Sequence, residues 1–380
     1  MKILALLLSL LLLVHQPARA AEITMPEAPG VDAKAWLLYD YSSNQILTQS
    51  HGRDRMEPAS LTKLMTAYLT FKALRERKLD IKQQVKPSTN AVQTQEAESR
   101  MFLMEDTPVS VDDLLHGLII QSGNDAARTL AEAVAGNEPA FVALMNKEAA
   151  RLGLKDTHYM NATGLPAPEH YSSAYDLALL GGAIVRDFPE YYPLYAIRDF
   201  QYNGITQANR NRLLWLDPFV DGMKTGHTER AGFCLVASAK RGERRLISVV
   251  LGAGSDDKRA SESQKLLNHG FQDYDSLPLY KKGQQVTTLR TWKGTLKMLP
   301  IGPAQDISVA IPHGMQSKVK ATVELQHPLL APVGRGQRVG TLKISVAGIP
   351  YTEYPLVALQ AVPMANVFSR GWDTIRLFFE

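Results

Sequence analysis

Apolar residues are spaced in different ways along this chain, and each spacing predicts a different kind of element. The start is an almost unbroken apolar run, ILALLLSLLLLV, Ile3 to Val14. From about residue 31 to 275, short apolar runs alternate with helical spacing. DAKAWLLYDYSSNQILTQ (Asp32 to Gln49) predicts a hairpin, two apolar runs around the turn Ser42-Ser43-Asn44. Helices are predicted from Ser60 to Lys78, across Ala131 to Gly153 and from Ser172 to Phe188, where Ser173 and Asp176 are placed like a variant capping box. AGFCLVASAK and RRLISVVLGAG suit neighbouring strands joined by a charged turn, and SESQKLLNHGF closes this part as a helix. Strands at both ends with helices between predict an α/β (α+β) domain with an antiparallel sheet.

After about Leu277 the spacing changes. QQVTTLRTW, DISVAIP, VKATVELQH, GTLKISVAG and TEYPLVALQ are short runs, several of them alternating polar with apolar, among frequent prolines and glycines. They predict a small all-β domain over 277–363, a β-sandwich. The last stretch, 364–380, reads as an amphipathic helix. Phe368, Trp372, Ile375 and Phe379 fall on one helical stripe, while Arg370, Asp373 and Arg376 face elsewhere. It is too short and too polar to span a bilayer, and its aromatic side suits a membrane interface. A helix docked on the β-domain, or a dimer contact, is the plainer alternative.

Charge and cysteine usage narrow the class. The chain has 380 residues with 42 basic and 38 acidic side chains. Lys2 and Arg19 belong to the first twenty residues, and the near-balanced remainder gives no nucleic-acid signal. Lys2, the apolar run and Ala18-Arg19-Ala20 together read as a secretory signal over 1–20, so the mature chain is expected to begin at Ala21 and to be exported. Cys234 is the one cysteine, inside an apolar run, which predicts an inert buried thiol and excludes an internal disulfide.

Candidate chemistry lies in three fragments. PASLTKLMTAYL holds Ser60 and Lys63 at i, i+3, one face of a helix. A serine becomes a nucleophile when a base removes its proton, and a lysine is a base only if burial or a second cation keeps it neutral. IIQSGNDAA holds Ser122-Gly123-Asn124, a hydroxyl and an amide for one pocket. GMKTGHT holds Lys224-Thr225-Gly226, a cation for a carboxylate beside a glycine that admits a ligand backbone. Taken singly, each also fits a bland reading: a polar helix start, a cap or turn, an exposed lysine.

Together, in the order SxxK, SxN, KTG and separated by 62 and 102 residues, they match the motif set of penicillin-binding proteins and class A β-lactamases. With QSGNDA, ANRNRLLW, DGMKTGHT, RRLISVVLG, the β-rich part and the tail, nearly the whole chain resembles a low-molecular-mass penicillin-binding protein, a serine-type D-Ala-D-Ala carboxypeptidase. The resemblance implies a serine transpeptidase/β-lactamase-like catalytic domain over 21–276. It implies Ser60 as the acylated nucleophile, Lys63 as its base, and Ser122 and Asn124 in proton transfer and substrate amide binding. Lys224, Thr225, Gly226, His227 and Arg259 would bind substrate, with the backbone N–H groups of Ser60 and His227 as oxyanion hole. It implies no cofactor and no metal. The partners would be a peptidoglycan stem peptide ending in D-Ala-D-Ala, β-lactams as covalent inhibitors, and a membrane surface under the terminal helix. The location would be the periplasm, peripherally on the inner membrane. Three rivals share the site: a low-turnover penicillin-binding scaffold, a DD-endopeptidase and a β-lactamase. Against the last, Asp156 to Pro168 holds no glutamate for activating a deacylating water.

Overall fold

A computed structural model describes residues 24–95 and 98–379; the predicted signal over 1–20 lies outside the described residues. Two compact units divide the chain: one is Glu27–Ser276, and the other contains Leu277–Glu380.

The first unit is built on a five-stranded antiparallel sheet of β1 (Ala35–Asp40), β2 (Gln45–Ser50), β3 (Val220–Thr228), β4 (Gly232–Arg241) and β5 (Arg244–Ala253), in the order β2-β1-β5-β4-β3. Strand β1 is buried at all six positions, which is why AWLLYD runs apolar without alternation: both faces of the sheet are covered. Helix α4 (Ala174–Asp187) covers one face, with Gly181 against Met223 and Ile247. Helix α5 (Asp256–Asp273) covers the other, with Gly270 against Leu38 and Leu246. Leu246 and Ile247 are neighbours on β5, so their side chains leave on opposite faces. Helices α1 (Lys63–Arg75), α2 (Asn124–Ala135) and α3 (Glu138–Leu152) complete the unit, and their apolar side chains join one core with the sheet.

Several predicted elements differ in their bounds, for local reasons. The helix predicted from Ser60 begins as a 3-10 turn, Ala59–Thr62, and becomes α-helical only at Lys63. The helix predicted over Ala131 to Gly153 is two helices. Gly136, with φ of +82°, ends α2, and Asn137 starts α3 by accepting the Ala140 N–H. Helix α5 begins at Asp256, capped by Ser255, so Arg259 stands in a first helical turn rather than after a loop. Ser173 caps α4 as expected, accepting the Asp176 N–H. Cys234 is fully buried, and burial pushes its thiol up to about 11.

The second unit has a six-stranded sheet. Its strands run in the order Val319–Leu325, Arg338–Val346, Ile349–Ala358, Met298–Pro303, Thr287–Trp292, Leu329–Leu330. A further strand, Ile307–Pro312, adds Val309 and Ile311 to the same apolar core. Met298–Pro303 is absent from the predicted strands because MLPIGP carries two prolines and a glycine, the residues that usually break a ladder. Helix α6 (Val367–Leu377) ends the unit. Its one buried residue is Asp373, whose carboxylate accepts the Lys293 N–H at 2.7 Å and pairs with Lys297 at 3.1 Å. Phe368, Trp372, Ile375 and Phe379 are exposed. Among the described residues no helix is long and apolar enough to cross a membrane.

Candidate active site

Ser60 is half-buried on the 3-10 turn, directly after Ala59, whose φ of +48° is a left-handed conformation costly to any residue with a Cβ. Two glycines make room for this turn. A Cβ on Gly226 of β3 would stand 3.0 Å from the Pro58 carbonyl oxygen and 3.1 Å from the Ser60 nitrogen. A Cβ on Gly164, itself at φ +88°, would overlap the Ala59 carbonyl. The glycine of Lys-Thr-Gly therefore admits the serine's own turn, a packing demand that the sequence had left to an approaching ligand.

Lys63, the first residue of α1, is 1% exposed. Its Nζ lies 3.0 Å from Ser60 Oγ, 2.7 Å from Asn124 Oδ1 and 2.6 Å from the Thr163 carbonyl oxygen. Burial, then Arg128 and Arg210, outweigh Glu98 and Asp125 and pull the ammonium down to about 7. A neutral amine has two hydrogens and one lone pair. The Asn124 and Thr163 oxygens only accept, so they take the hydrogens and leave the lone pair to Ser60. The Asn124 amide is fixed in that sense because its Nδ2 donates to Glu98 Oε2 at 2.6 Å. Burial would raise the Glu98 carboxyl, but hydrogen bonds from Asn124 and the Glu98-facing backbone at Gln95, with Arg128 at 3.1 Å, hold it below its usual range.

Ser122 follows a π-helical turn, Gly117–Gln121, with φ of +68°. Its Oγ is buried and has no hydrogen-bond partner among the described residues. A buried hydroxyl in that state is costly, and it faces a cleft that can repay it. Asp125 ties the neighbouring loop down, accepting the N–H groups of Met101 and Leu103 at 3.0 and 3.1 Å.

On the facing strand, Lys224 is buried and donates to the Thr225 carbonyl at 3.0 Å. Burial, then Lys63, Arg210 and Arg259, push it well below its ordinary value. Arg259 donates to the Gly226 carbonyl at 3.1 Å and pairs with Asp256. Its guanidinium and the exposed His227 ring both lie against Phe233, at 5.6 and 4.1 Å from the ring centre. The cleft between these elements has a volume of about 520 Å³, lined by Ser60, Ser122, Thr225, Gly226, His227 and Arg259. Lys63 and Asn124 connect to it through Ser60, and Lys224 adjoins Thr225, so the predicted site residues converge on one cleft whose arginines, Arg210, Arg212 and Arg259, suit a carboxylate.

Four contributors were not singled out by sequence. Thr163 acts through its carbonyl, which no side-chain motif announces. Glu98 accepts from both Asn124 and Arg128, and it lies in the Gln- and Glu-rich stretch Asn90 to Thr107, which reads from sequence only as a loop bordering the site. Arg210, inside ANRNRLLW, lines the cleft. Where a β-lactamase would require a glutamate, this chain sets the Thr163 carbonyl against the lysine, and Asp156 is occupied elsewhere, 3.5 Å from Arg55.

Comparison with known proteins agrees across both units. The family model described as D-alanyl-D-alanine carboxypeptidase matches residues 22–255, and that of the penicillin-binding protein 5 C-terminal domain matches 274–364. The D-alanyl-D-alanine carboxypeptidase DacC of Escherichia coli K12 is 43% identical over 375 residues, 97% of this chain and 94% of the relative. The crystal structure of penicillin binding protein 5 from Haemophilus influenzae is 41% identical with a TM-score of 0.85, covering 89% of this chain and 99% of that one. Penicillin-binding protein D2 from Listeria monocytogenes, solved in an ampicillin-bound form, is 30% identical with a TM-score of 0.59, covering 65% of this chain and all of that one.

Proposed function

Because this chain belongs to the D-alanyl-D-alanine carboxypeptidase family of serine peptidases, we propose that Ser60 is the residue it acylates and Lys63 the base that activates it. The chain is a serine-type D-Ala-D-Ala carboxypeptidase of the penicillin-binding class. The observation that carries the residue assignment is the buried Lys63 amine, 3.0 Å from Ser60 Oγ and brought down to about 7.

Lys63 takes the Ser60 proton, and Oγ attacks the carbonyl between the last two D-alanines. The oxyanion is held by the N–H groups of Ser60 and His227, one on the strained turn and one on the edge strand β3. Ser122, with its unpartnered hydroxyl, carries the proton to the departing D-alanine amine. One hydrogen of Asn124 Nδ2 goes to Glu98, and the other meets the substrate amide. Lys224, Thr225 and Arg259 receive the terminal carboxylate, with Arg210 at the rim. Water then completes hydrolysis of the acyl-enzyme. A β-lactam presents the same acyl group to the same oxygen and is held there covalently.

The substrate is the stem peptide of peptidoglycan, met outside the cytoplasmic membrane. The exposed Phe368, Trp372, Ile375 and Phe379 of α6 rest in the interface of that membrane, which raises the local concentration of enzyme over its substrate. Domain limits of 21–276, 277–363 and 364–380 go with this reading. The test is release of free D-alanine from an acyl-D-Ala-D-Ala peptide by a form lacking residues 364–380, with Ser60→Ala beside it. Release that disappears in Ser60→Ala is the expected result; a folded wild type that releases none overturns the assignment.

A further inference from the structure

We propose that His170 is a positioning residue for the nucleophile: its imidazole donates a hydrogen bond to Thr62 and so holds the turn that carries Ser60. The inference rests on the reading of Ser60 and Lys63 as nucleophile and base.

The loop from Tyr159 to Tyr171 grips the start of α1 at three places. Thr66 Oγ1 donates to the Ala162 carbonyl at 2.7 Å, Lys63 Nζ donates to the Thr163 carbonyl, and Thr62 Oγ1 lies 2.8 Å from His170 Nε2. Asn161 shapes the near part of the loop, its Oδ1 accepting the Thr163 and Gly164 N–H groups at 3.1 and 2.7 Å. The far part closes on His170. Thr62 is fully buried and His170 is 4% exposed, so their contact is made away from water.

Geometry fixes the direction of this bond. The Met160 N–H, which can only donate, points at His170 Nδ1 at 3.3 Å. Nδ1 is therefore the bare nitrogen and Nε2 carries the proton. Burial, then His158, hold the ring at about 4, so it is neutral in working conditions. Thr62 lies between Ser60 and Lys63, on a turn whose first residue, Ala59, is in a left-handed conformation. Released from His170, such a turn can relax and carry Ser60 Oγ away from Lys63. A misplacement of about 1 Å costs on the order of 100-fold in rate.

The experiment uses the whole chain and two readouts of the site: acylation by a fluorescent penicillin, and kcat and KM for D-alanine release. His170→Ala is expected to slow both reactions about 10- to 100-fold with KM nearly unchanged. His170→Gln, whose amide nitrogen replaces Nε2 and whose oxygen accepts from Met160, is expected to recover most of the loss. Thr62→Val should lose as much as His170→Ala, and the double variant no more than either. Wild-type rates in a folded His170→Ala, equal losses in His170→Ala and His170→Gln, or multiplying losses in the double variant overturn the proposal. If His170→Ala fails to fold, Thr62→Val decides, and wild-type acylation by it sinks the idea. ¹⁵N-histidine NMR keeps this separate from the carboxypeptidase reading. If wild type neither releases D-alanine nor takes penicillin, that reading fails. The role of His170 toward a nucleophile falls with it, whereas in an active wild type a His170 Nε2–H resonance that moves in Thr62→Val supports the proposal and an unchanged spectrum overturns it.

Discussion

Helices α1 and α6 are near in length, 13 and 11 residues, and opposite in burial. Every residue of α1 except Lys72 and Arg75 is inside, including Lys63; in α6 Asp373 alone is inside, and the aromatic side faces out. Each helix thus buries one charged group, but with different company. Lys63 is surrounded by oxygens that accept and by cations, so burial brings its ammonium down to about 7, where the neutral amine with its free lone pair is well populated. Asp373 meets an N–H and an ammonium; burial would raise its carboxyl, but these partners lower it and keep it ionised. Partners, and not the fact of burial, decide whether an inside charge becomes a reagent or a fastening.

The contrast breaks first at Lys63. Lys63→Met is expected to slow penicillin acylation by about 1,000-fold while the melting temperature holds or rises, because a desolvated amine is gone. Acylation within tenfold of wild type would leave α1 an ordinary buried helix. At the other helix, Phe368→Glu together with Trp372→Glu should weaken binding to phospholipid vesicles by about 100-fold and leave D-alanine release from a soluble peptide unchanged. Undiminished vesicle binding in a sedimentation assay would remove the membrane from the comparison. The pH response sharpens it further. Below about 7 Lys63 is protonated and cannot accept the serine proton, so acylation should fall about tenfold per pH unit there and level off above. Glu98→Gln should shift that midpoint downward, since Glu98 favours the charged amine. The smallest effect belongs to Asp373→Asn, a loss of about 1 kcal/mol seen by denaturant unfolding. Because its folded carboxyl is lowered, that loss is present at neutral pH and fades as pH drops through the acidic range.

Sequence reached the site further than it reached the support beneath it. Ser60, Lys63, Ser122, Asn124 and Lys224 are chemically distinctive side chains in short motifs, so they could be read from the chain. Thr163 contributes a backbone oxygen from 100 residues away, and Glu98 reaches Asn124 across 26. Such contacts depend on how loops close, and no local spacing encodes them. The hairpin, the strand pair β4–β5 and most strands of the second unit were legible because apolar runs and turn residues coincide there. Met298–Pro303 was not, since its neighbours on both sides, and not its own propensity, make it a strand. The 3-10 turn at Ser60 was hidden for a related reason: SLTK suits a helix, and the strain at Ala59 is imposed by β3 and by the loop at Gly164.

Those two contacts also limit how the molecule can vary. Position 226 meets the Ser60 nitrogen and position 164 meets the Ala59 carbonyl, so neither tolerates even an alanine without moving the serine. Variation is freer along the rim of this cleft, where the exposed Arg210 and His227 line it. A methyl added at either glycine is passed on to the nucleophile's turn, so change is absorbed at the edge of the cleft and felt at once beneath the serine.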